Sequence, residues 1–388
     1  MCSQLTDRAR DTRSGLPPSV DAARDLRTGP LAAPAVRADP GASFDMVFVS
    51  NTGRADRPFY DPSARYRTFA LAEHFRRAGH RVAFLAQSRF EREPDAFAGA
   101  RLVQFHRPSA TEAMLRYVGR NRRRQVLVAD YDDLVFDVAA TPETPAVRDR
   151  GEDETRIARS LAANAEIGAM FGHCSVSTAP LAERAEQVLG QRPVIVHNAL
   201  DPLYTGIART LAREAARPEF DLGYFSGTAS HNRDLALIAP QIAAYLDENP
   251  ARRMLVFGPV SIPEPLRRHS DRIETRKVVS FYQMPVEIRR CRMVLGPLED
   301  TTFARCKSGL KFFEAGALGV SVAATPIPDI DRFTSPLLHK CRRPKDWAAA
   351  FRAPDPDPAA RTEAVERVLD TCRLDRQVAV WSNAFLES

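Results

Sequence analysis

Apolar and polar positions follow a regular order from the segment FDMVFVS onward. That segment predicts a strand, and the loop NTGRADRPFYDPSARYR follows it. Four apolar residues then recur at helical spacing and predict a helix that Gly79 ends: Ala64, Leu71, Phe75 and Ala78. The next segment, HRVAFLA, predicts a second strand. Strand, helix and strand in this order indicate a parallel sheet, whose ligand-binding loops lie at the carboxyl ends of the strands.

The same alternation continues along the rest of the chain. Strands are predicted by RQVLVADYDDLVFD, CSVS and RPVIVHNALD, and TAPLAERAEQVLG predicts a helix with a capping threonine and an early proline. Farther on, FDLGYFSGT, RRMLVFGPV and RMVLGPL predict strands, and one helical stripe lies after the first of them: Leu235, Ile238, Ile242 and Leu246. The predicted fold class is α/β, with two doubly wound domains of parallel strands and a cleft between them.

The pattern also predicts the domain boundaries. Residues 1–43 are rich in Arg, Asp, Pro and Ala without apolar periodicity, which predicts a disordered leader. The first domain is expected over residues 44–207 and the second over 220–365. A polar, alanine-rich stretch, 208–219, is interpreted as their connection. Residues 366–388 predict a C-terminal helix that packs back toward the first domain.

Composition agrees with a globular chain of two domains, since 44% of the 388 residues are hydrophobic and 8% are aromatic. The net charge of +6 comes mostly from arginine, which favours anionic ligands such as nucleotide diphosphates, or an acidic membrane surface. The densest basic run, Arg120 with residues 122–124, is interpreted as a solvated loop rather than a docking patch.

Cysteine usage and apolar runs bear on the location of the protein. The six cysteines stand singly, with no CxxC pair and no zinc spacing, which indicates a reducing compartment. The chain starts with charges where a signal peptide needs an apolar stretch, and no apolar run approaches membrane-spanning length. We therefore expect a cytoplasmic protein, and peripheral contact with a membrane stays open.

The segment KSGLKFFEAGALGVSVAAT, residues 307–325, combines charges with an apolar helical pattern. Its periodicity predicts a helix, capped by Ser308, that runs into a buried strand. Lys307 stands at the positive end of that helix, where a phosphate would relieve the repulsion. Glu314 lies at the edge of the apolar face, where the two hydroxyls of a ribose would satisfy its carboxylate. These charges fit a nucleotide; a solvated Lys307 and a Glu314 that reaches water are the alternative.

Three segments resemble the retaining glycosyltransferases of family four, which have the GT-B fold: VIVHNALD, LGYFSGTASHNRDLALIAP and VLGPLEDTTFARCKSGLKFFEAGALGVSVAAT. The likeness covers about residues 44–388 and is strongest in the second half. It implies two Rossmann-like domains, the second binding a nucleoside-diphosphate sugar and the first carrying most acceptor contacts. The implied acceptor is a hydroxyl of a glycan, a lipid-linked sugar or a small molecule. The resemblance implies no metal, no further cofactor and no nucleic acid.

The resemblance also implies roles for residues at matching positions. Lys307 would contact the diphosphate, Glu314 would hold the ribose hydroxyls, and Arg233 would be a second phosphate-binding cation. A plain surface position is the alternative for Arg233. The other implied donor-binding residues are Gly227, Thr228, Ser308, Gly309 and Leu310. The family commonly has a glutamate where this chain has Cys306, so sugar contacts are expected from backbone groups or from Asp300, Thr301 and Thr302.

An acidic cluster, Asp130, Asp132 and Asp133, ends a predicted strand of the first domain. Such carboxylates could orient an acceptor hydroxyl, take its proton or stabilise positive charge at the anomeric carbon. All three are candidate catalytic residues, with Asp132 ranked ahead of Asp133. The alternatives are that Asp133 caps the next segment and that Asp130 pairs with an arginine. Further candidate contacts to sugar or acceptor, or solvated residues instead, are Gly53, Arg65 and Arg67.

Other functions make different demands on the same residues. VLVADYDDLVF imitates the strand and DxD of a haloacid-dehalogenase phosphatase, which needs a nucleophilic aspartate and Mg²⁺, but the Gly-Thr expected after it is missing. A metal-using glycosyltransferase with a DxD would have a single sheet. A nucleotide-sugar binder or an epimerase on the same fold is a further alternative. A dehydrogenase is disfavoured because no GxGxxG follows the first strand.

Overall fold

The computed structural model describes residues 43–214, 218–228 and 231–387, which group into two compact units. The first unit contains the described chain up to Ala199, the segment Thr301–Ser308 and the chain from Leu374 onward. The second unit contains Leu200–Asp300 and Gly309–Arg373. The predicted leader, residues 1–43, lies outside the described residues except for Ser43.

The first unit is built on a parallel sheet. Among the described residues it has six strands in the spatial order β2-β1-β3-β4-β5-β6. Their bounds are β1 (Met46–Ser50), β2 (Val82–Ala86), β3 (Leu102–His106), β4 (Val126–Tyr131), β5 (His173–Val176) and β6 (Val194–Ile195). The loop after β1 leads to β2 on one side, and the loop after β3 leads to β4 on the other side, so these two loops diverge. In open α/β sheets ligands bind at such a point.

Several helices of the first unit begin at residues whose side chains cap the N-terminus. The side chains of Thr111, Asp153 and Thr178 each accept a backbone N–H in the first helical turn. A π turn, Arg65–Phe69, interrupts the first long helical stretch. The α-helices are Pro62–Ala64, Ala70–Arg77, Gln87–Phe90, Glu112–Asn121, Pro145–Arg148, Glu154–Ala169, Ala179–Leu189, Thr302–Arg305 and Leu374–Phe385, and the 3-10 helices are Pro58–Tyr60, Pro94–Phe97 and Val138–Glu143.

The last helix, Leu374–Phe385, contributes to the core of the first unit. Trp381 is fully buried there, with its ring centroid 5.7 Å from that of Phe48 and 5.2 Å from that of Phe75. Its indole N–H donates to Gln104 Oε1 of β3 at 2.6 Å, so the polar atom of the ring is satisfied inside the core. This helix therefore completes the packing against the sheet.

The second unit repeats the plan. Its sheet has six strands within the described residues, in the order β12-β11-β10-β7-β8-β9, and every pairing is parallel. The bounds are β7 (Phe220–Phe225), β8 (Met254–Phe257), β9 (Ile273–Arg276), β10 (Cys291–Gly296), β11 (Ser321–Ala324) and β12 (Leu338–Lys340). The loops after β7 and β10 diverge here. The predicted fold class, two doubly wound α/β domains, is confirmed.

The predicted connection, residues 208–219, differs from the structure. The two units divide between Ala199 and Leu200, and the helix Pro202–Arg213 belongs wholly to the second unit. Asp201 caps this helix, and its apolar stripe, which includes Ile207 and Leu211, is buried. The polar residues between these positions obscured the stripe in the sequence.

The remaining helices of the second unit are shorter than the sequence pattern suggests. The stripe from Leu235 to Leu246 forms two helices separated at Ile238, whose backbone is not helical. The α-helices after Pro202–Arg213 are Asn232–Leu237, Ala239–Asp247, Met284–Arg289, Leu310–Gly316, Pro344–Arg352 and Pro358–Thr371, and the 3-10 helices are Glu264–Arg272 and Pro328–Arg332. Across the described residues, no helix combines the length and apolarity needed to cross a bilayer.

Candidate functional site

Asp130 lies inside β4 and is closed off by an ion pair. Arg67 donates to both of its carboxylate oxygens, at 2.6 and 3.0 Å, and Ser175 Oγ donates to Oδ1 at 2.6 Å. Both charged side chains are buried. Burial by itself lowers the pKa of Arg67, but Asp130 outweighs it and raises that pKa. Both carboxylate oxygens of Asp130 are thus already bonded within the protein.

These contacts argue against the catalytic role predicted for Asp130 and the substrate contact predicted for Arg67. Asp130 makes the pairing with an arginine that was its alternative, and Arg67 is buried rather than solvated. The remaining guanidinium nitrogen of Arg67, Nη1, donates to Val196 O at 2.5 Å and to Asn198 Oδ1 at 3.1 Å, so this pair ties β4 to the chain after β6. Such a pair acts in the architecture of the sheet.

Asp132 is the end of a hydrogen-bonded chain across three neighbouring strands. Ser50 Oγ of β1 lies 2.8 Å from His106 Nδ1 of β3, and His106 Nε2 lies 2.8 Å from Asp132 Oδ1, just after β4. Arg107 Nε also donates to Asp132 Oδ1 at 2.6 Å. The Asp132 side chain is 7% exposed. The sequence analysis did not identify Ser50, His106 or Arg107.

These partners fix the ionisation of Asp132. Burial by itself raises the pKa of the Asp132 carboxyl, but the charges of Arg107 and His106 outweigh burial and hold that pKa well below its usual value. A carboxylate with a lowered pKa is a weak base, so Asp132 is poorly suited to take a proton from an acceptor. The ranking of Asp132 ahead of Asp133 as a base is not favoured by this geometry.

Arg107 adopts an uncommon backbone conformation beside the cluster. Its φ is 51°, the one positive φ of a non-glycine residue among the described residues. Such a left-handed conformation costs about 1 kcal/mol or more for an ordinary side chain. The Arg107 N–H donates to Asp130 O at 2.7 Å, and the side chain reaches Ser63 Oγ at 3.1 Å. The conformation turns the guanidinium toward the two aspartates that follow β4.

Asp133 is the most accessible of the three aspartates. Its side chain is 18% exposed, with Oδ2 3.6 Å from Arg107 Nη2 and Oδ1 3.6 Å from Lys307 Nζ. Oδ1 also accepts the N–H of Leu134 at 3.2 Å, which is local capping of the kind considered for it. Both distances are longer than the 2.6 Å between Arg107 Nε and Asp132 Oδ1. Asp133 is therefore the carboxylate of this cluster best able to meet a substrate group.

Lys307 lies in a segment, Thr301–Ser308, that belongs to the first unit rather than the second. Phe303 and Cys306 are buried in the core of the first unit. The N–H of Phe303 donates to Glu143 Oε2 at 3.0 Å, and Thr178 Oγ1 donates to Cys306 O at 2.8 Å. The segment is thus fixed by core packing and by two polar contacts.

Cys306 and the residues expected to contact the sugar near it differ in exposure. Burial raises the pKa of the Cys306 thiol to about 12, so the side chain is a neutral core residue. Thr301 Oγ1 accepts the N–H of Ala304 at 3.0 Å and caps the helix Thr302–Arg305. Asp300 and Thr302 are exposed. Of these positions, the exposed pair is the more accessible to a ligand.

In the second unit, the predicted glycine turn follows β7. Ser226 Oγ donates to Thr228 O at 2.7 Å, and Gly227 and Thr228 are exposed. Gly258, after the neighbouring β8, has a φ of 107°, and a Cβ there would lie 1.8 Å from Ser226 O. Only glycine allows this approach. The backbone of β8 therefore presses directly against the start of the turn.

Arg233 lies beyond this turn, in the first turn of the helix Asn232–Leu237. Its side chain is 50% exposed and pairs with Glu299, which follows β10, at 3.3 Å. Burial by itself raises the pKa of the adjacent Asp234, but its bond to His231 outweighs this and lowers that pKa. The positive charge of Lys311 acts in the same direction. Lys311 is a second cation here that the sequence analysis did not single out.

The helix that carries Glu314 starts differently from the prediction. Gly309, not Ser308, is the residue before the helix Leu310–Gly316, and its N–H donates to Asp329 Oδ2 at 2.7 Å. A Cβ on Gly309 would lie 3.0 Å from Ile330 Cγ1, so a larger residue there would require the Ile330 side chain to shift slightly. Glu314 is half-buried, and its backbone carbonyl accepts the hydroxyl of Tyr204 at 3.2 Å. Leu310 is also half-buried.

Two candidates remain in the first unit, after β1. Gly53 is exposed in the loop that follows the strand. Arg65 is buried, donates to Phe59 O at 3.3 Å and lies 5.1 Å from the centre of the Phe59 ring. Arg65 is therefore not the solvated residue of the alternative interpretation. Within the described residues, no cluster of three or more His, Cys, Asp or Glu side chains is arranged to hold a metal ion.

Comparison with solved structures identifies the fold of this chain. No protein-family model matches the sequence, and no curated protein matches it either. Among solved structures, sucrose-phosphate synthase from Thermosynechococcus elongatus superposes with a TM-score of 0.57, at 14% identity, over 88% of this chain and 98% of its own. HepE from Anabaena, in complex with UDP, gives a TM-score of 0.55 at 11% identity, over 89% of this chain and 100% of its own.

A plant enzyme gives a similar result. The catalytic domain of starch synthase IV from Arabidopsis thaliana, bound to ADP and acarbose, superposes with a TM-score of 0.56 at 8% identity, over 89% of this chain and 99% of its own. This chain has the GT-B fold. The fold implied by the three sequence segments is thereby confirmed.

Within each Rossmann-like unit of this GT-B chain, the candidate residues follow the carboxyl ends of central strands. In the first unit they come at or after the ends of β1, β3 and β4, together with the segment Thr301–Ser308 that follows β10 in the sequence. In the second unit they come after β7 and β10. The haloacid-dehalogenase alternative fits poorly because both aspartates of its DxD, Asp130 and Asp132, are held by arginines. A nucleophilic aspartate needs an oxygen that faces the phosphorus atom.

Proposed function

We propose that this chain is a retaining glycosyltransferase that moves a sugar from a nucleoside-diphosphate sugar to an acceptor hydroxyl without a metal ion. The observation that carries the proposal is the GT-B fold over nearly the whole described chain, shared with structures that contain UDP or ADP. Starch synthase and sucrose-phosphate synthase both have names that describe sugar transfer. The excess of positive charge, +6, agrees with an anionic donor.

In this proposal the donor is held by cations and backbone amides. Lys307 and Arg233 neutralise the charge that grows on the departing diphosphate, the largest electrostatic demand of the step. Gly227, Thr228, Ser308 and Leu310 line the phosphates, and Lys311 adds to the positive potential near Asp234. Because the Gly309 amide donates to Asp329, it would have to exchange that partner to reach a phosphate. Glu314 binds the ribose hydroxyls.

The acceptor side of the proposal rests on Asp133. It is the most accessible member of an acidic cluster whose other two carboxylates pair closely with arginines, so it can accept a hydrogen bond from the acceptor hydroxyl. Asp300 and Thr302, with Gly53 after β1, are further contacts to sugar or acceptor. The acceptor is a glycan, a lipid-linked sugar or a small molecule, and contact with a membrane surface is compatible with the basic charge. No nucleic acid takes part.

We also propose a cytoplasmic location. The cysteines of the described residues, Cys174, Cys291, Cys306, Cys341 and Cys372, are all buried free thiols. Free thiols persist in reducing compartments.

The first experiment screens donors. UDP-, GDP-, dTDP- and ADP-sugars are tested by thermal shift, and those that bind are incubated with candidate acceptors while mass spectrometry detects one added sugar unit. The anomeric proton of the product, read by NMR, distinguishes retention from inversion. EDTA should leave the rate unchanged, and a rate restored only by Mg²⁺ would contradict the metal-independent step. Product of the same mass as the substrate would indicate an epimerase, and binding without transfer a binder.

A further inference from the structure

Asp133 and Lys307 form a weak ion pair within the first unit. Their charged atoms, Oδ1 and Nζ, lie 3.6 Å apart, which is beyond hydrogen-bonding contact, and the side chains are 18% and 22% exposed. A partly exposed pair at this distance should contribute less than a closely bonded buried pair. The buried Arg67–Asp130 pair in the same unit, with two bonds of 2.6 and 3.0 Å, shows the contrast.

The backbone around Lys307 is fixed while its ammonium is loosely held. Phe303 and Cys306 anchor the segment in the core, and Thr178 and Glu143 bond its backbone. The ammonium itself lies 3.6 Å from Asp133 and 4.8 Å from the centre of the Phe303 ring. A flexible four-carbon side chain on a rigid segment can exchange one anionic partner for another at little cost.

Asp133 can lose this lysine without being left as an isolated charge. Arg107 Nη2 lies 3.6 Å from its other oxygen, and Arg107 is itself held by a 2.6 Å bond to Asp132. The arginine therefore stays beside Asp133 whatever Lys307 does. Part of the carboxylate's negative charge would then be available to a new hydrogen-bond donor.

We infer that Asp133 competes with the diphosphate of the donor for Lys307. The inference rests on the proposed function, in which Lys307 binds that diphosphate. A diphosphate carries more negative charge than one carboxylate, so it withdraws the ammonium from Asp133 when the donor binds. Asp133 then accepts the hydrogen bond of the acceptor hydroxyl. Donor binding should therefore make Asp133 more available to orient the acceptor, because Lys307 has moved toward the diphosphate.

The competing view is that Asp133 holds Lys307 in position for the diphosphate, and the two views predict opposite signs. If Asp133 competes for the lysine, its neutralisation strengthens nucleotide binding. If Asp133 positions the lysine, its neutralisation weakens binding. Removal of a nearby negative charge could also strengthen anion binding without any competition, so the test needs Lys307 variants as well.

The experiment is isothermal titration of UDP, GDP, dTDP and ADP into the full chain. The variants are Asp133→Asn, Lys307→Met and both together, with Asp133→Glu, which keeps the charge, and Asp95→Asn, a carboxylate in the 3-10 helix Pro94–Phe97 well before β4, as controls. We expect Asp133→Asn to tighten binding by about two- to fivefold, the range of an exposed ion pair. In the Lys307→Met background the same change should have no effect, and both controls should bind as the wild type does.

Several results would overturn the inference. Unchanged or weaker binding by Asp133→Asn would do so, as would a tightening that persists in the Lys307→Met background. Asp133→Ser repeats the test if Asp133→Asn does not fold. When a donor and an acceptor are known, Asp133→Asn should lower kcat while the KM for the donor falls. If no nucleoside diphosphate binds the wild-type chain, the proposed function fails; if the wild type binds and only the sign is wrong, the competition alone fails.

Discussion

The carboxyl ends of the two sheets carry similar charged residues but use them differently. At the end of β4 in the first unit, Asp130 within the strand and Asp132 just after it are buried and bonded to Arg67 and Arg107 at 2.6 to 3.0 Å. After β7 and β10 in the second unit, Arg233 is half exposed and lies 3.3 Å from Glu299. Buried charges need complete pairing, whereas exposed charges keep water as a partner. The two pairs at the first edge therefore act mainly in stability, whereas Arg233 at the second edge remains accessible to solvent.

The largest expected effect is on the buried pair of the first unit. Arg67→Met leaves Asp130 as an uncompensated charge in the core and should lower the free energy of unfolding by about 3–5 kcal/mol. Urea denaturation measures this loss. The double variant Arg67→Met, Asp130→Leu removes both charges and should recover part of the stability. A loss below about 1 kcal/mol for Arg67→Met would mean that the two edges do not differ as described.

A smaller free-energy change is expected for Lys307 and Glu314, whose charges are proposed to contact the donor. Lys307→Ala and Glu314→Ala should each weaken donor binding by about 1.5–3 kcal/mol, the range of hydrogen bonds to charged groups. Turnover should fall severely in both. Calorimetry measures the binding, and thermal unfolding should show that the fold is intact. Transfer at the wild-type rate in both variants would contradict their assignment to the donor.

The pH dependence of stability gives a third test. The folded-state pKa of Asp132 is lowered, so its ionised form stabilises the fold at pH values above the unfolded-state pKa of about 3.9, and this contribution is lost as the pH falls through the folded-state value. Asp132→Asn should therefore cost about 1–3 kcal/mol at pH 7. The difference in stability between wild type and variant should begin to narrow as the pH falls below about 3.9. A gap that stays constant with pH would contradict the lowered pKa.

The smallest effect on stability is expected at the second edge. Arg233→Gln removes a half-exposed ion pair with Glu299 and should change the free energy of unfolding by less than about 1 kcal/mol. Its binding of nucleoside diphosphates should nevertheless weaken severalfold. Arg253→Gln is a matched control, since Arg253 is also about half exposed and pairs loosely with a glutamate. Equal nucleotide affinities in the two variants would remove Arg233 from the donor site.

The fold could be predicted from the sequence where apolar runs are unbroken. β1, β7 and β10 follow from FDMVFVS, FDLGYFSGT and RMVLGPL. Three strands were not predicted. In β3 the buried Gln104 and His106 interrupt the apolar pattern, and β9 and β12 are short strands at the edge of their sheet with exposed residues. Polar residues that are satisfied inside a core are invisible to a count of hydrophobic positions.

The candidate site could be predicted only in part for the same reason. The acidic cluster was found because its members are adjacent in the sequence, but its partners come from other elements: Ser50, Arg67, His106, Arg107 and Lys307. Which aspartate is saturated and which is accessible depends on those partners. A local pattern also could not show that Thr301–Ser308 packs in the first unit, because core contacts with distant residues decide it.

The position of Trp381 has a consequence for synthesis. The helix Leu374–Phe385 fills the core of the first unit against Phe48 and Phe75, yet it is made after the whole of the second unit. A nascent chain on the ribosome therefore holds an unfinished first unit, with aromatic surface uncovered, until translation has passed Trp381. We expect the first unit to complete its core only after this helix has left the ribosome, although most of the unit is translated long before.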